Sequence, residues 1–275
     1  MYQDSFGKDA SPLRDKKLFL FDMDGTIYEE NRLFEGTIDL LNKISQTGGQ
    51  YFFITNNSSK SVRDYVEKVN RMGIPADLDN FFTSAQATVL YLKENHSGKC
   101  VYCQGTKSLV KELVDEGLDV VTEYSDRAEV ILVGYDTELT TQKMHDTCRM
   151  HLKGLPYIAT NPDYVCPMSF GFVPDCGSMC MMYKNATGRE PIFIGKPEPT
   201  MINIVREKTG HSKEETVVIG DRLYTDIASG INAGVTTVCV LSGEATVEDI
   251  QNGNIRPAYT LGSVMDLLNI LKTDT

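Results

Sequence analysis

Asp22 and Asp24 stand two positions apart at the end of a short apolar run, Leu18, Phe19, Leu20 and Phe21, and Gly25 follows them at once. In extended backbone, residues two apart share a face, so both carboxylates point one way and Met23 the other. Gly25 lets the chain turn sharply and approach a ligand closely. Two carboxylates at the end of a buried strand repel each other, a cost that a cation or a shared proton relieves. Magnesium is the simplest such cation, because it takes oxygen ligands and keeps waters for a substrate to displace. Taken alone, Asp-x-Asp-Gly also fits a solvated acidic turn, so the remainder of the chain must separate the two readings.

Three further segments repeat the setting, each a short apolar run ending in polar residues: ITNNSS at 54–59, FIGKPEP at 193–199 and VVIGDRLYTD at 217–226. Thr55 and Asn56 offer neutral donors to anionic oxygens, and Lys196 offers a compact positive charge. Thr55 is also a good helix cap. Lys196 is no P-loop lysine, since no Gly-x-x-x-x-Gly-Lys-Ser/Thr surrounds it. Asp221 again closes an apolar run and fits a metal ligand; Asp226 is either a second ligand or an acid favouring a helix N-terminus. Groups at the carboxyl ends of neighbouring parallel strands converge on one crevice, so the four segments are expected to form one site.

The elements that must carry these residues read as alternating strands and helices, the pattern of a doubly wound parallel sheet. Residues up to about Asp15 lack periodicity and are expected to be a loose tail. Thr37 is expected to cap a helix with Ile38, Leu41 and Ile44 on one face. YFFIT is the next strand, Ser58 or Ser59 caps a helix with the stripe Val62, Tyr65, Val66, Val69 and Met72, and NFFTS is a further strand. About 140 positions then separate Thr55 from Lys196, enough for a domain of its own. CVYC, LDVV, EVILVG and PYIAT alternate with helical segments there. The expected division is residues 1–82 and 180–275 as a core, with an inserted α/β domain at 83–179. After TVVIGD, Thr225 is expected to cap a helix, and Val264, Leu267, Leu268 and Leu271 form an amphipathic C-terminal helix.

The ordered set DMDGT, TNN, GKP and GDRLYTD resembles the haloacid dehalogenase (HAD) superfamily of aspartate-dependent phosphohydrolases, and within it the NagD-like sugar and nucleotide phosphatases; the motifs span nearly the whole chain. The resemblance implies a Rossmann-like core with a C2-type cap, and magnesium-dependent removal of phosphate from small phosphorylated metabolites through an aspartyl-phosphate. It implies Asp22 as nucleophile, Asp24 as general acid and then base, and Lys196 and Thr55 beside the phosphoryl group. Gly25, Asn56 and Asn57 would bind substrate, and Asp22, the Asp24 carbonyl, Asp221 and Asp226 would hold the metal. Haloalkanoate dehalogenases of the superfamily lack the second aspartate, so Asp24 favours phosphate chemistry. The segment ATNPD resembles part of NagD-like caps, which implies that Asn161 and Asp163 face the site; Asn-Pro-Asp is also simply a good turn. One departure is Val173-Pro174-Asp175-Cys176-Gly177, where relatives show a Pro-Gly-x-Gly type return from the cap. Related caps often pair, so a homodimer through the cap is a further expectation.

Bulk properties narrow the classes. A formal net charge of -11 over 275 residues disfavours nonspecific binding to a nucleic-acid polymer, which needs lysine and arginine against phosphates. No apolar run has the length of a membrane span, and the first residues lack the hydrophobic middle of a secretory signal, so a cytoplasmic location away from membranes is expected. Seven cysteines without a regular framework fit reduced thiols. Cys100-x-x-Cys103 falls in a strand-like run with no second pair, which favours a core position over zinc or redox chemistry. The four histidines lie in none of the motifs, against phosphohistidine or histidine-rich metal chemistry. The alternatives retained are a phosphometabolite-binding or regulatory protein on the same fold, and a phospho-accepting receiver module, which would need neither a cap nor the Asp22-x-Asp24 pair.

Overall fold

The computed structural model describes residues 2–168 and 170–272. The chain folds into two compact units, one of Met1–Thr55, Val66–Phe82 and Lys196–Thr275, the other of Asn56–Tyr65 and Thr83–Gly195.

The first unit is built on a six-stranded sheet in the order Tyr259–Leu261, Thr236–Val240, Thr216–Gly220, Leu18–Phe21, Gln50–Thr55, Phe81–Thr83. The Leu18–Phe21 strand is central and runs parallel to both neighbours, with Phe21 level with Ile219 on one side and Phe53 on the other. All four of its residues are buried, as are those of Thr216–Gly220. A strand covered on both faces must be apolar throughout, which explains the unbroken hydrophobic runs. Because these strands are parallel, their carboxyl ends share one sheet edge, and the residues that follow, Asp22 and Asp221, emerge there.

Several local expectations change in this unit. The first fifteen residues are not a loose tail. Ala10 and Leu13 are fully buried, Ser11–Asp15 form a short 3-10 helix, and the Asp4 carboxylate accepts the Thr260 N–H at 3.1 Å. The Thr37–Gln46 helix is capped by Gly36, while the Thr37 hydroxyl donates to the Ile27 carbonyl at 3.0 Å. Leu40, Leu41 and Ile44 form its inner face and Ile38 is exposed. Thr225 is not a helix cap: it lies within a wide π-type turn over Leu223–Ile227. The C-terminal helix Val264–Lys272 buries Val264, Leu267, Leu268 and Ile270.

The second unit holds a five-stranded parallel sheet in the order Ile192–Phe193, Tyr157–Ala159, Val130–Val133, Val101–Gln104, Val120–Val121. Helices Ser84–Asn95, Lys107–Asp115, Thr141–His151 and Cys176–Thr187 accompany it, with an antiparallel hairpin of Val165–Met168 and Gly171–Pro174. This unit runs on to Gly195, past the expected end at Met179. Ile192–Phe193 adds a strand beside Tyr157–Ala159, and Cys176, Met179, Cys180 and Tyr183 pack into the core that this sheet forms. It also takes in residues 56–65, including Ser61, whose hydroxyl accepts the Asp64 N–H at the start of the Val62–Arg71 helix in place of the expected Ser58 or Ser59. Cys100 and Cys103 are buried free thiols. No helix among the described residues is long and apolar enough to cross a membrane.

Candidate active site

In the first unit, one residue past the central strand, Asp22 meets Lys196 and Asp226. The Lys196 ammonium lies 2.5 Å from Asp22 Oδ1 and 2.5 Å from Asp226 Oδ1, and donates to the Ile54 carbonyl at 3.2 Å. Lys196 and Asp226 are almost wholly buried, whereas the Asp22 side chain keeps 14% of its surface open. A buried lysine needs its charge matched, and two carboxylates and a carbonyl do so here.

Asp221 sits at the end of the strand next to that of Asp22. Its carboxylate accepts the Glu244 N–H at 2.8 Å and the Thr26 hydroxyl at 3.3 Å. Asp226 accepts the Arg222 N–H at 3.1 Å, so the wide turn folds that carboxylate back to the strand end. One oxygen each from Asp22, Asp221 and Asp226 lies within 4.8 Å of the others. The backbone leaves them room only because glycines stand alongside. A Cβ at Gly25, where φ is +85°, would fall 2.4 Å from Asp221 Oδ2, and one at Gly243 would fall 2.1 Å from the same atom.

Crowding of like charges shows in the acidities. Burial, reinforced by Asp226, pushes Asp22 well above the ordinary carboxylate range against the opposing pull of Lys196. Burial and the charge of Asp226 push Asp221 up to about 7, with Arg222 opposing. Burial works against the Lys196 ammonium, but Asp22 and Asp226 outweigh it and hold the group above its ordinary value. With all three carboxylates ionised, the Lys196 charge leaves an excess of two negative charges among oxygen donors. A hard dication fits that donor set in charge and in ligand type.

Asp24 lies on the loop after Asp22 and is more open, with 38% of its side chain exposed. The Tyr28 hydroxyl donates to Asp24 Oδ2 at 3.1 Å, and Lys68 Nζ is 3.7 Å from Asp24 Oδ1. Neither Tyr28 nor Lys68 carries a signal in the sequence beyond an aromatic residue in a polar stretch and a lysine on a helix. Thr55 ends the neighbouring strand and is buried. The Gly25 N–H bonds the Tyr28 carbonyl at 2.9 Å, which closes the loop on itself.

The other residues singled out from sequence lie in the second unit and are joined to one another. Asp163 Oδ2 accepts the Asn56 amide at 2.9 Å and the Asn161 amide at 3.1 Å, and the Asn161 amide also reaches Asp175 Oδ1 at 3.1 Å. All four are buried. The Asn161 carbonyl oxygen accepts the Thr160 hydroxyl, which in turn pairs with Ser58 at 2.8 Å. Asn57 accepts the Ser59 N–H and hydroxyl at 3.0 and 2.7 Å, a local turn.

The chain is similar in sequence and in fold to known proteins. A model of the haloacid dehalogenase-like hydrolases matches residues 19–119, and a second, HAD-hydrolase-like, model matches 193–267. The chain is 32% identical over 260 residues to an acid sugar phosphatase of Staphylococcus saprophyticus, covering 94% of this chain and all of that one. Among solved structures, a 4-nitrophenylphosphatase from Thermotoga maritima superposes with a TM-score of 0.90 at 34% identity, covering 95% of this chain and 99% of that one. NagD from Escherichia coli K-12 superposes with a TM-score of 0.82 at 30% identity, covering 94% and 98%.

Proposed function

Because the chain belongs to the haloacid dehalogenase-like hydrolases, as a NagD-like phosphatase among them, we propose that it hydrolyses small phosphomonoesters, sugar phosphates foremost, with magnesium and through an aspartyl-phosphate on Asp22. The observation that carries this reading is the cluster of Asp22, Lys196, Asp221 and Asp226 at the carboxyl edge of the parallel sheet. The likeness to an acid sugar phosphatase supports the substrate class.

Asp22 is the one member of the cluster that combines a lysine partner with an open face, as a nucleophile must. Its carboxylate attacks phosphorus, the bond to the ester oxygen breaks, and Asp24 gives that oxygen a proton so that it leaves as an alcohol. Asp24, now ionised, takes a proton from water as that water attacks the aspartyl-phosphate. Phosphate departs and both carboxyl groups return to their starting forms. Lys196 holds Asp22 in place and offers positive charge to the phosphoryl oxygens, while Thr55 presents a hydroxyl donor at the adjacent strand end. Asp22, Asp221 and Asp226, with the Asp24 carbonyl, would hold the magnesium ion, which supplies charge neutralisation to the transferring group.

The test is Asp22→Asn, nearly isosteric and without a nucleophile. Turnover of p-nitrophenyl phosphate with magnesium should fall to background while the unfolding midpoint stays near that of wild type. Turnover near the wild-type rate would overturn the assignment. Chelation of divalent cations should likewise abolish wild-type turnover.

A further inference from the structure

The loop that carries Asp24 is built around a contact that the hydrolytic chemistry above does not use. Lys68 projects from the Val62–Arg71 helix with only 13% of its side chain exposed. Its ammonium lies 3.7 Å from the centre of the Tyr28 ring and 3.7 Å from Asp24 Oδ1. Tyr28 is fully buried, and its hydroxyl donates to the other carboxylate oxygen, Asp24 Oδ2, at 3.1 Å. The three side chains thus close a triangle of one hydrogen bond, one ion pair and one cation–π contact.

We propose that Tyr28 and Lys68 are positioning residues that hold the Asp24 carboxyl in one orientation, with Oδ1 as the oxygen that exchanges its proton with the leaving group. The proposal rests on Asp24 acting as general acid. A carboxylate on a partly exposed loop samples several rotamers, and a proton must be delivered along a defined line for general-acid catalysis to be effective. The Tyr28 hydrogen bond occupies Oδ2. At 3.7 Å the Lys68 contact is longer than a hydrogen bond, so it orients Oδ1 by charge and leaves that oxygen in use. The aromatic ring serves a second purpose, because it draws the ammonium to its face and fixes where that charge sits. Lysine on a flexible stem would otherwise be a poor orienting group.

The readout is leaving-group dependence, which a general loss of packing would not produce. Tyr28→Phe and Lys68→Met should each lower kcat/KM for an alkyl monoester such as glycerol 2-phosphate by about tenfold or more. For p-nitrophenyl phosphate, whose leaving group needs no proton, the loss should stay within about threefold. Lys68→Arg should recover most of the alkyl activity, because its charge can occupy the same ring face. Equal losses on both substrates in Tyr28→Phe and Lys68→Met, or no loss at all, would overturn the positioning role. Asp24→Asn measured alongside tells the two failures apart. If it shows the leaving-group dependence and the other variants do not, only the positioning role falls; if it shows none, the general-acid reading falls and takes the positioning role with it.

Discussion

Replacing Lys196 by methionine removes one charge from a cluster that holds three of the opposite sign, and the structure sets the size of the effect. The side chain is nearly isosteric and fully buried, so little packing is lost. What is lost is the partner of Asp22 and Asp226, each 2.5 Å from the ammonium. One oxygen from each of the three carboxylates lies within 4.8 Å of the others, and at an effective dielectric constant of about 20 two unit charges at that limit repel by roughly 3.5 kcal/mol. The variant limits this cost by binding a proton, since burial already raises Asp22 and Asp221. A net loss of about 3–5 kcal/mol is therefore expected in metal-free protein, the range for a buried charge left without its partner. The loss must depend on pH in a defined direction. The carboxyls bind protons more tightly folded than unfolded, so the variant keeps its stability below about pH 4, the unfolded carboxylate range, and loses it as pH rises through about 7 and beyond. Urea unfolding in chelator at pH 5 and pH 8 measures this, and turnover of p-nitrophenyl phosphate should fall by a factor of about 10² or more. A variant within about 0.5 kcal/mol of wild type at pH 8 would refute the reasoning, because the carboxylates would then not be facing one another as charges.

Two further outcomes follow from the second unit. Asp163→Ala removes the acceptor that the Asn56 and Asn161 amides share and should lower stability by about 1–3 kcal/mol in urea unfolding, the range for a buried hydrogen bond lost from one side; no change would show that the network carries no net energy. His151 has both ring nitrogens buried without a partner, and burial, with the Arg189 charge adding, pushes its pKa down to about 4. The unfolded chain protonates first, so stability held above pH 6.5 is lost as pH falls toward 4, by about 1 kcal/mol after allowance for solvent screening, and His151→Leu should flatten that slope in unfolding measured between pH 7 and 5.

The family and the doubly wound class were legible because both are written in short stretches. Leu18, Phe19, Leu20 and Phe21 form a four-residue apolar run, and the two acids after it need no tertiary information to stand out. The same holds for Thr55 and Asp221. That the Thr216–Gly220 strand brings Asp221 and Asp226 beside Asp22 follows from parallel strand order, which the alternating pattern foretold; Lys196 comes after Ile192–Phe193, a strand of the other sheet, so its meeting with Asp22 could not be read from strand order. Positions whose role depends on a distant partner were not readable. Ile38 looks like a core residue by periodicity, yet the helix turns Leu40 inward instead. Asp4 is buried with one carboxylate oxygen on the N–H groups of Phe6 and Lys8 and the other on that of Thr260, a partner at the far end of the chain. The second unit runs to Gly195 because of a two-residue strand, Ile192–Phe193, too short to register as a pattern. Asn161 and Asp163 sat in a recognisable turn, but the hydrogen bond that Asp163 accepts from Asn56, more than a hundred positions away, could not be inferred from spacing. Lys68 is likewise one lysine among many on helices until Tyr28 and Asp24 are seen beside it.

The clearance around Asp221 bears on which sequence changes this protein can survive. Gly25 and Gly243 contribute no functional group, and in a sequence either passes for loop punctuation. A single added methyl at either position would overlap the Asp221 carboxylate, which is hemmed in on its other sides by Glu244 and Thr26. The Asp221 side chain would have to shift in either case, and at Gly25, where φ is +85°, the backbone would be strained as well. Tolerance to mutation is therefore set here by empty volume as much as by chemistry: alanine at Gly25 or Gly243 is, in effect, a substitution of Asp221. A natural variant carrying either change would register as an inactive enzyme whose acidic residues are all intact.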